Sequence, residues 1–171
     1  AGLKVKDAFI SKCSKDNEFL KARITSATSI PSKSILFNID QKADVISKIE
    51  TDALVAVFVK VFDEACGYYG KQAYIAQFER DLDRDDLFIK FKTEFKSVSE
   101  QDWDFGRERA TRYANEIDKA YNKVTGQTVV NILDKNRTDY HLSIDDFANQ
   151  VKEYIDKQVP GFRLNFFVDE V

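Results

Sequence analysis

Residues 161–171, GFRLNFFVDEV, indicate a β-strand that follows a break at Pro160 and Gly161 and runs into two adjacent carboxylates. Proline and glycine end the preceding element, and four large apolar residues then follow within five positions: Leu164, Phe166, Phe167 and Val168. A run of this kind is typical of a strand that is buried on both faces of a sheet. Because such a strand needs a neighbour on each side, the chain terminus is an unusual place for it.

SILFNID, residues 34–40, is the second β-prone run. Between the two runs the apolar spacing is helical, and we predict a helical crossover or insertion over 51–158. Strands joined by a long helical connection are parallel, so strands near 34–40 and 163–169 are predicted to be adjacent and parallel. The expected fold class is α/β and helix-dominated, in one incomplete domain spanning 1–171, with these helices: 3–12, 16–24, 51–65, 71–80, 84–97, 103–124, 128–133 and 143–157.

Individual positions sharpen this pattern. Phe19, Leu20 and Ile24 are predicted to point inward from the second helix, and the Ser/Thr-rich stretch 25–34 is predicted to be a connector. The helix over 51–65 is apolar nearly all round, so we expect it to pack on the sheet. Ser143 is the predicted cap of the last helix.

Composition bounds the function class. The 26 basic and 29 acidic residues give a formal charge of −3, which argues against nucleic-acid binding through a broad basic field, although it leaves DNA contact by a local patch open. The two cysteines form no CxxC pair, so neither a zinc site nor a disulfide framework is indicated. No apolar run approaches the ~20 residues of a membrane span. These features predict a cytoplasmic protein without a membrane partner.

FFVDEV, residues 166–171, has the form of a Walker B strand of P-loop NTPases: an apolar strand followed by Asp-Glu. Asp169 at the carboxyl end of the strand would hold Mg²⁺, and Glu170 would orient and polarise the attacking water. The alternative is a strand that simply ends in solvated acids. The residues alone leave both interpretations open.

A Walker B strand requires a phosphate-binding loop, and GxxxxGK[ST] is absent from the 171 residues. GYYGKQ, residues 67–72, comes nearest, but two residues separate its glycines instead of four, and we interpret it as a helix-breaking turn. Arg107, Arg109 and Arg112 are interleaved with glutamates and are interpreted as a solvated, ion-paired helix face.

Four segments together resemble a known family: ILFNIDQKAD (35–44), VFVKVFDEACGYYG (57–70), FANQVKEYIDKQ (147–158) and RLNFFVDEV (163–171). The chain is similar to the large P-loop ATPase of BREX bacteriophage-exclusion systems, the BrxC/PglY family. The four segments occur in the family's order and span about four fifths of the chain. In that family the Walker A loop lies upstream of the first segment, and the polypeptide continues far beyond the Walker B strand.

The resemblance implies that the chain is a fragment of an AAA-like ATPase between Walker A and Walker B. It implies Asp169 as the Walker B aspartate at the metal and Glu170 as the catalytic glutamate, with ATP and Mg²⁺ as cofactors of the parent protein and none bound to the fragment. The implied partners are other BREX proteins, including a DNA methyltransferase. The fragment itself is expected to be inactive and to self-associate through an exposed apolar flank. The alternative is a non-enzymatic, mostly helical protein-interaction module.

Overall fold

A computed structural model describes residues 5–13, 17–39, 51–141 and 143–169 of the chain. Within these ranges the chain forms nine helices and a two-stranded parallel sheet, which confirms the helix-dominated α/β class. In chain order the elements are α1 (Val5–Lys12), α2 (Glu18–Ser29), β1 (Ser32–Asn38), α3 (Thr51–Cys66), α4 (Ala73–Arg84), α5 (Phe88–Ser99), α6 (Trp103–Arg107), α7 (Ala114–Thr125), α8 (Ile132–Asp139), α9 (Ile144–Asp156) and β2 (Arg163–Asp169).

The two strands are hydrogen-bonded neighbours and run in the same direction. Ser32 pairs with Arg163 at one end of the ladder, and Asn38 pairs with Asp169 at the other. The chain between the strands passes through α3 to α9, so the predicted parallel pair with a long helical crossover is confirmed. The predicted end of the first strand, Asp40, lies outside the described residues.

One face of the sheet packs against α3 and α9 and forms the smaller of two hydrophobic cores, the sheet core. Ile35 and Phe37 of β1 are buried there. The Phe58 ring of α3 lies 5.2 Å from the Phe37 ring and 5.4 Å from the Phe166 ring, centroid to centroid. The prediction that this helix packs on the sheet is therefore confirmed. The remaining members are Ile39, Val57, Val61, Phe62, Ala65, Cys66, Phe147, Val151, Tyr154, Leu164 and Val168.

The opposite face of the sheet, called the open face, is uncovered by the described residues. Leu36 is 77% exposed and its register partner Phe167 is 54% exposed. Successive side chains of a strand point to opposite faces, so the apolar run of β2 divides between the sheet core and solvent. Over the described residues, the prediction of a strand buried on both faces is wrong.

Helices α4 to α8 enclose the larger hydrophobic core, the helical core. Phe91 and Phe95 of α5 have no exposed surface, and the Trp103 ring lies 4.9 and 5.2 Å from them. A Cβ atom on Gly106 would lie 2.3 Å from Cζ of Phe95. Glycine at this position therefore permits the close approach of α6 to α5.

Helix α2 continues through part of the predicted connector and ends at Ser29. The Thr28 hydroxyl donates to the Ile24 carbonyl at 2.7 Å, one turn earlier, so the Ser/Thr-rich stretch accommodates a helix. Phe19 and Leu20 are exposed, and the prediction that they point inward is wrong. Composition alone overstated the tendency of serine and threonine to break this helix.

The helix predicted over 103–124 is broken into α6 and α7. Between them the Arg109 N–H donates to the Gly106 carbonyl at 2.9 Å and the Arg112 N–H to the Arg109 carbonyl at 2.8 Å. These bonds span three residues instead of four, so the backbone tightens into turns and changes direction. The apolar periodicity of α7 was predicted correctly, and its start was not.

Helix α8 begins later than the predicted 128–133 helix, at Ile132. The Asp118 carboxylate of α7 accepts the Asn131 N–H at 2.7 Å and the Ile132 N–H at 3.0 Å. The Asn122 side chain both donates to and accepts from the Val129 backbone, each at 2.8 Å. Side chains of α7 therefore fix the connection that leads into α8.

The last helix begins as predicted. The Ser143 hydroxyl accepts the Asp146 N–H at 3.0 Å and caps α9. Over residues 5–13, 17–39, 51–141 and 143–169, no helix has the length and apolar composition that a bilayer crossing needs.

Candidate functional site

The carboxyl ends of β1 and β2 form the edge of the sheet at which a ligand site was predicted. Asn38 and Asp169 end the two strands and are register partners, so their side chains share one face at this edge. Asp169 is exposed to solvent. Glu170, the predicted catalytic residue, lies outside the described residues. The structure thus places one of the two predicted site residues.

Asp169 offers carboxylate oxygens at this edge. Oxygen donors of this kind suit Mg²⁺, which commonly takes one or two protein carboxylates and fills its remaining positions with water and substrate phosphates. Within the described ranges, no group of three or more His, Cys, Asp or Glu side chains is arranged to hold a metal ion. Asp169 alone is therefore compatible with Mg²⁺ only where water and substrate phosphates supply the remaining ligands.

The GYYGK loop, residues 67–71, is a structural turn. Gly67 has a φ of +93°, and four consecutive backbone N–H groups already donate within the protein. The acceptors are the carbonyls of Glu64, Asp63 and Tyr68 and the side chain of Glu79. A phosphate-binding loop needs such N–H groups free, so the interpretation of this loop as a turn is confirmed.

Glu79 is a fully buried carboxylate at the centre of the helical core. It accepts the Tyr69 N–H at 2.6 Å, the Trp103 indole N–H at 2.5 Å and the Arg107 guanidinium at 3.1 Å. Burial raises the pKa of Glu79, and these three donors oppose the rise. Glu79 therefore links the GYYGK loop to α6 through these hydrogen bonds.

A second buried carboxylate, Asp63, joins the two cores. It lies on α3 and accepts a hydrogen bond from the Arg80 guanidinium of α4. Burial raises the pKa of Asp63 to about 6, and the positive charge of Arg80 opposes that rise. Neither buried acid was predicted, although Glu79 shares a core-facing helical position with Ile75 and Leu82, which is a detectable signal in the sequence.

A cleft of about 250 Å³ lies where α3, α4 and α9 meet. Arg84 and Glu153 approach within 3.5 Å across it, and Cys66 lies in its wall. Burial raises the pKa of the Cys66 thiol to about 11, so the thiol is protonated at neutral pH and is not an activated nucleophile. Nothing in this cleft supplies the elements of covalent catalysis among the described residues.

Arg107, the last residue of α6, and Arg109, which follows that helix, make different contacts. Arg107 bonds to Glu79 and, at 2.6 Å, to Asp104. The Arg109 guanidinium lies 3.9 Å from the Phe105 ring centroid. Glu108 pairs instead with Lys71 at 3.3 Å. Arg107 is therefore ion-paired as predicted, but it is partly buried rather than fully solvated, whereas Arg109 stacks on an aromatic ring.

No family model and no solved structure match the chain. The assignment of a function therefore depends on the residues and geometry described above, and the resemblance to BREX ATPases stays a prediction.

Proposed function

We propose that the chain is part of a P-loop ATPase of a BREX-type bacteriophage-defence system, and that β2 is its Walker B strand. The observation that carries this proposal is the position of Asp169. Asp169 lies at the carboxyl end of β2, next to Asn38 at the carboxyl end of the parallel strand β1. The described helices α3 to α9 lie in the connection between the two strands. Ligands of open α/β sheets bind beyond the carboxyl ends of their strands.

In the intact parent, Asp169 would hold Mg²⁺ and Glu170 would orient the water that attacks the γ-phosphate. Bound Mg²⁺ supplies charge neutralisation on the phosphates of ATP. The protein's part is to fix the carboxylates, and the rigid hydrogen-bonded ladder to β1 does so for Asp169. The ATPase cycle would drive assembly or remodelling of the defence complex, with other BREX proteins and a DNA methyltransferase as partners. These partners come from the sequence resemblance.

The 171 residues contain no GxxxxGK[ST], so the proposal requires residues outside them to supply the phosphate-binding loop. The chain alone should neither bind ATP tightly nor hydrolyse it. Isothermal titration calorimetry with Mg-ATP is expected to show no micromolar binding. A micromolar dissociation constant would contradict the proposal that the phosphate-binding half of the ATP site lies outside these residues.

The encoding reading frame gives the first test. We expect GxxxxGK[ST] upstream of the codon for Leu3, and a reading frame without it would reject the proposal.

Substitutions in the polypeptide that carries both motifs give the second test. Glu170→Gln keeps the strand and Asp169 but removes the group that polarises water, so ATP should still bind while turnover falls by at least about 100-fold. Asp169→Asn should instead weaken the Mg²⁺ dependence of binding. Ser97→Ala on the exposed surface of α5 is the matched control and should leave both properties unchanged. Unchanged hydrolysis in the Glu170→Gln protein would reject the Walker B assignment.

The second candidate is a helical protein-interaction module without enzymatic activity. Exposed apolar side chains on or next to the helices favour it, including Ile89 at 68% and Val130 at 64% exposure. Under this alternative Glu170→Gln has no effect on any activity of the parent, and Ile89→Ser weakens binding of a partner protein. The same pair of variants therefore separates the two functions.

A further inference from the structure

The open face of the sheet combines an apolar centre with opposite charges at its two ends. Leu36 and Phe167 are adjacent and largely exposed at the centre. Arg163 and Asp169 share this face of β2, because alternate residues of a strand point the same way, and both are exposed. They stand at the two ends of the strand, about 20 Å apart.

Parallel sheets are almost always covered on both faces. A covering layer for this face must present apolar surface at its centre, a negative charge over Arg163 and a positive charge over Asp169. A second copy of the same face meets all three requirements when its strands run in the opposite direction. The face is therefore complementary to itself.

We propose that the open face binds the open face of a second copy around a two-fold axis that reverses the strand direction. Leu36 and Phe167 of the two copies pack together at the centre. Arg163 of each copy pairs with Asp169 of the other, which gives two equivalent ion pairs. The other two-fold arrangement, with strands parallel, places Arg163 over Ser32 and brings no opposite charges together. Charge thus selects the antiparallel arrangement.

The contact is small. A two-stranded face about 20 Å long and 10 Å wide buries about 400 Å² over both copies, against about 1,200 Å² or more for a stable complex. We therefore expect a reversible dimer with a dissociation constant of about 0.1 mM or weaker. This inference goes beyond the proposed ATPase function and does not require it, because it concerns only the 171-residue chain.

Sedimentation equilibrium of the chain from about 10 µM to 1 mM tests whether the open face forms a dimer, because this range spans the expected dissociation constant. The weight-average mass should rise toward that of a dimer. Phe167→Ser should remove this rise. Ile144→Ser is the matched control, because it also removes an exposed apolar side chain, and it should leave the rise intact. A chain that stays monomeric throughout, or equal effects of both variants, would overturn the proposal.

Charge exchange tests the arrangement. Arg163→Asp and Asp169→Arg each turn both ion pairs into repulsive pairs, so each variant alone should dimerise about tenfold more weakly or worse. An equimolar mixture of the two variants restores both attractions, and dimerisation should return. Circular dichroism of each variant checks that the fold is unchanged. Dimers that form with the original affinity in the single variants would reject this arrangement and indicate pairing at a strand edge instead.

Discussion

The helical core and the sheet core differ in how completely they are enclosed. In the helical core Phe91, Phe95 and Ile117 have no exposed surface, and helices surround them on all sides. Among the described strand residues of the sheet core, Ile35 and Phe37 of β1 are buried, whereas Phe166 of β2 stays partly exposed. The first region is a self-contained packing unit. The second is a sheet of which the described residues cover one face.

The two regions meet along polar contacts. Asp63 of α3 bonds to Arg80 of α4, and Arg84 of α4 approaches Glu153 of α9. Buried ion pairs at the boundary add less to the free energy of unfolding than apolar packing would, because each buried charge carries a desolvation cost. The two cores are therefore expected to differ in their response to core substitutions.

The largest expected effect compares the cores directly. Phe91→Ala should destabilise the protein by about 3–5 kcal/mol, because the enclosed helical core cannot collapse into the cavity. Phe58→Ala in the sheet core should cost about half as much, since that ring is partly exposed and its surroundings can adjust. Urea denaturation followed by circular dichroism measures both. Phe167→Ala, on the open face, is the control and should change stability by less than about 0.5 kcal/mol. Equal costs for Phe91 and Phe58 would contradict the difference in enclosure.

The second effect is a pH dependence at the boundary. The pKa of Asp63 is 3.8 in the unfolded reference and about 6 in the folded protein, so folding favours its protonated form. Its stabilising contribution is complete below pH 3.8 and is lost as the pH rises through 6. At about 1.4 kcal/mol per pKa unit, the change is at most about 3 kcal/mol.

Unfolding titrations of the wild type and Asp63→Asn between about pH 4 and 7 test this dependence. The stability of the wild type relative to the variant should fall as the pH rises, and the contribution of Glu79 is present in both proteins and cancels. A relative stability that instead rises with pH would show that Arg80 outweighs burial.

A third, smaller effect concerns the closeness of packing in the helical core. Gly106→Ala places a methyl group against the Phe95 ring, where a Cβ would be 2.3 Å from Cζ. We expect a loss of about 1–3 kcal/mol from overpacking. Thermal unfolding measures it, with Asn115→Ala on exposed α7 surface as control. If the Gly106→Ala protein loses no stability, α6 can shift away from α5.

The smallest effect lies at the cap of α9, which covers the sheet core. Ser143→Ala removes the hydroxyl that accepts the Asp146 N–H and should cost about 1 kcal/mol. Ser97→Ala, at an exposed helical position, should be neutral by the same urea titration. Hydrogen exchange should also show faster exchange in the first turn of α9 alone. Faster exchange spread through β2 would instead indicate that the sheet core depends on this cap.

Periodicity predicted the elements that pack along one continuous face. The apolar spacing over 84–97 identified α5, and the two β-prone runs identified a parallel pair. Local pattern could not place the break before α7, where the Arg109 and Arg112 N–H groups bond to carbonyls three residues earlier instead of four. It could not detect that Phe167 faces solvent either, because an apolar run does not state which of its two faces is covered.

For the candidate site, the position of Asp169 at the end of a strand was predictable, whereas the buried acids were not. Asp169 was placed correctly at the end of a strand, because the sequence around it specifies the strand. The buried acids Asp63 and Glu79 were missed, because their burial depends on donors that approach from distant segments: Arg80, Tyr69, Trp103 and Arg107.

Asp118 has a consequence for the order in which the chain folds. Its carboxylate accepts the Asn131 and Ile132 N–H groups, which begin α8, yet it belongs to α7. An eight-residue helix is unstable by itself in water. Helix α8 therefore forms only after α7 is in place. During synthesis the ribosome makes Asp118 before residues 131 and 132, so the acceptor for the first N–H groups of α8 is present before that helix emerges.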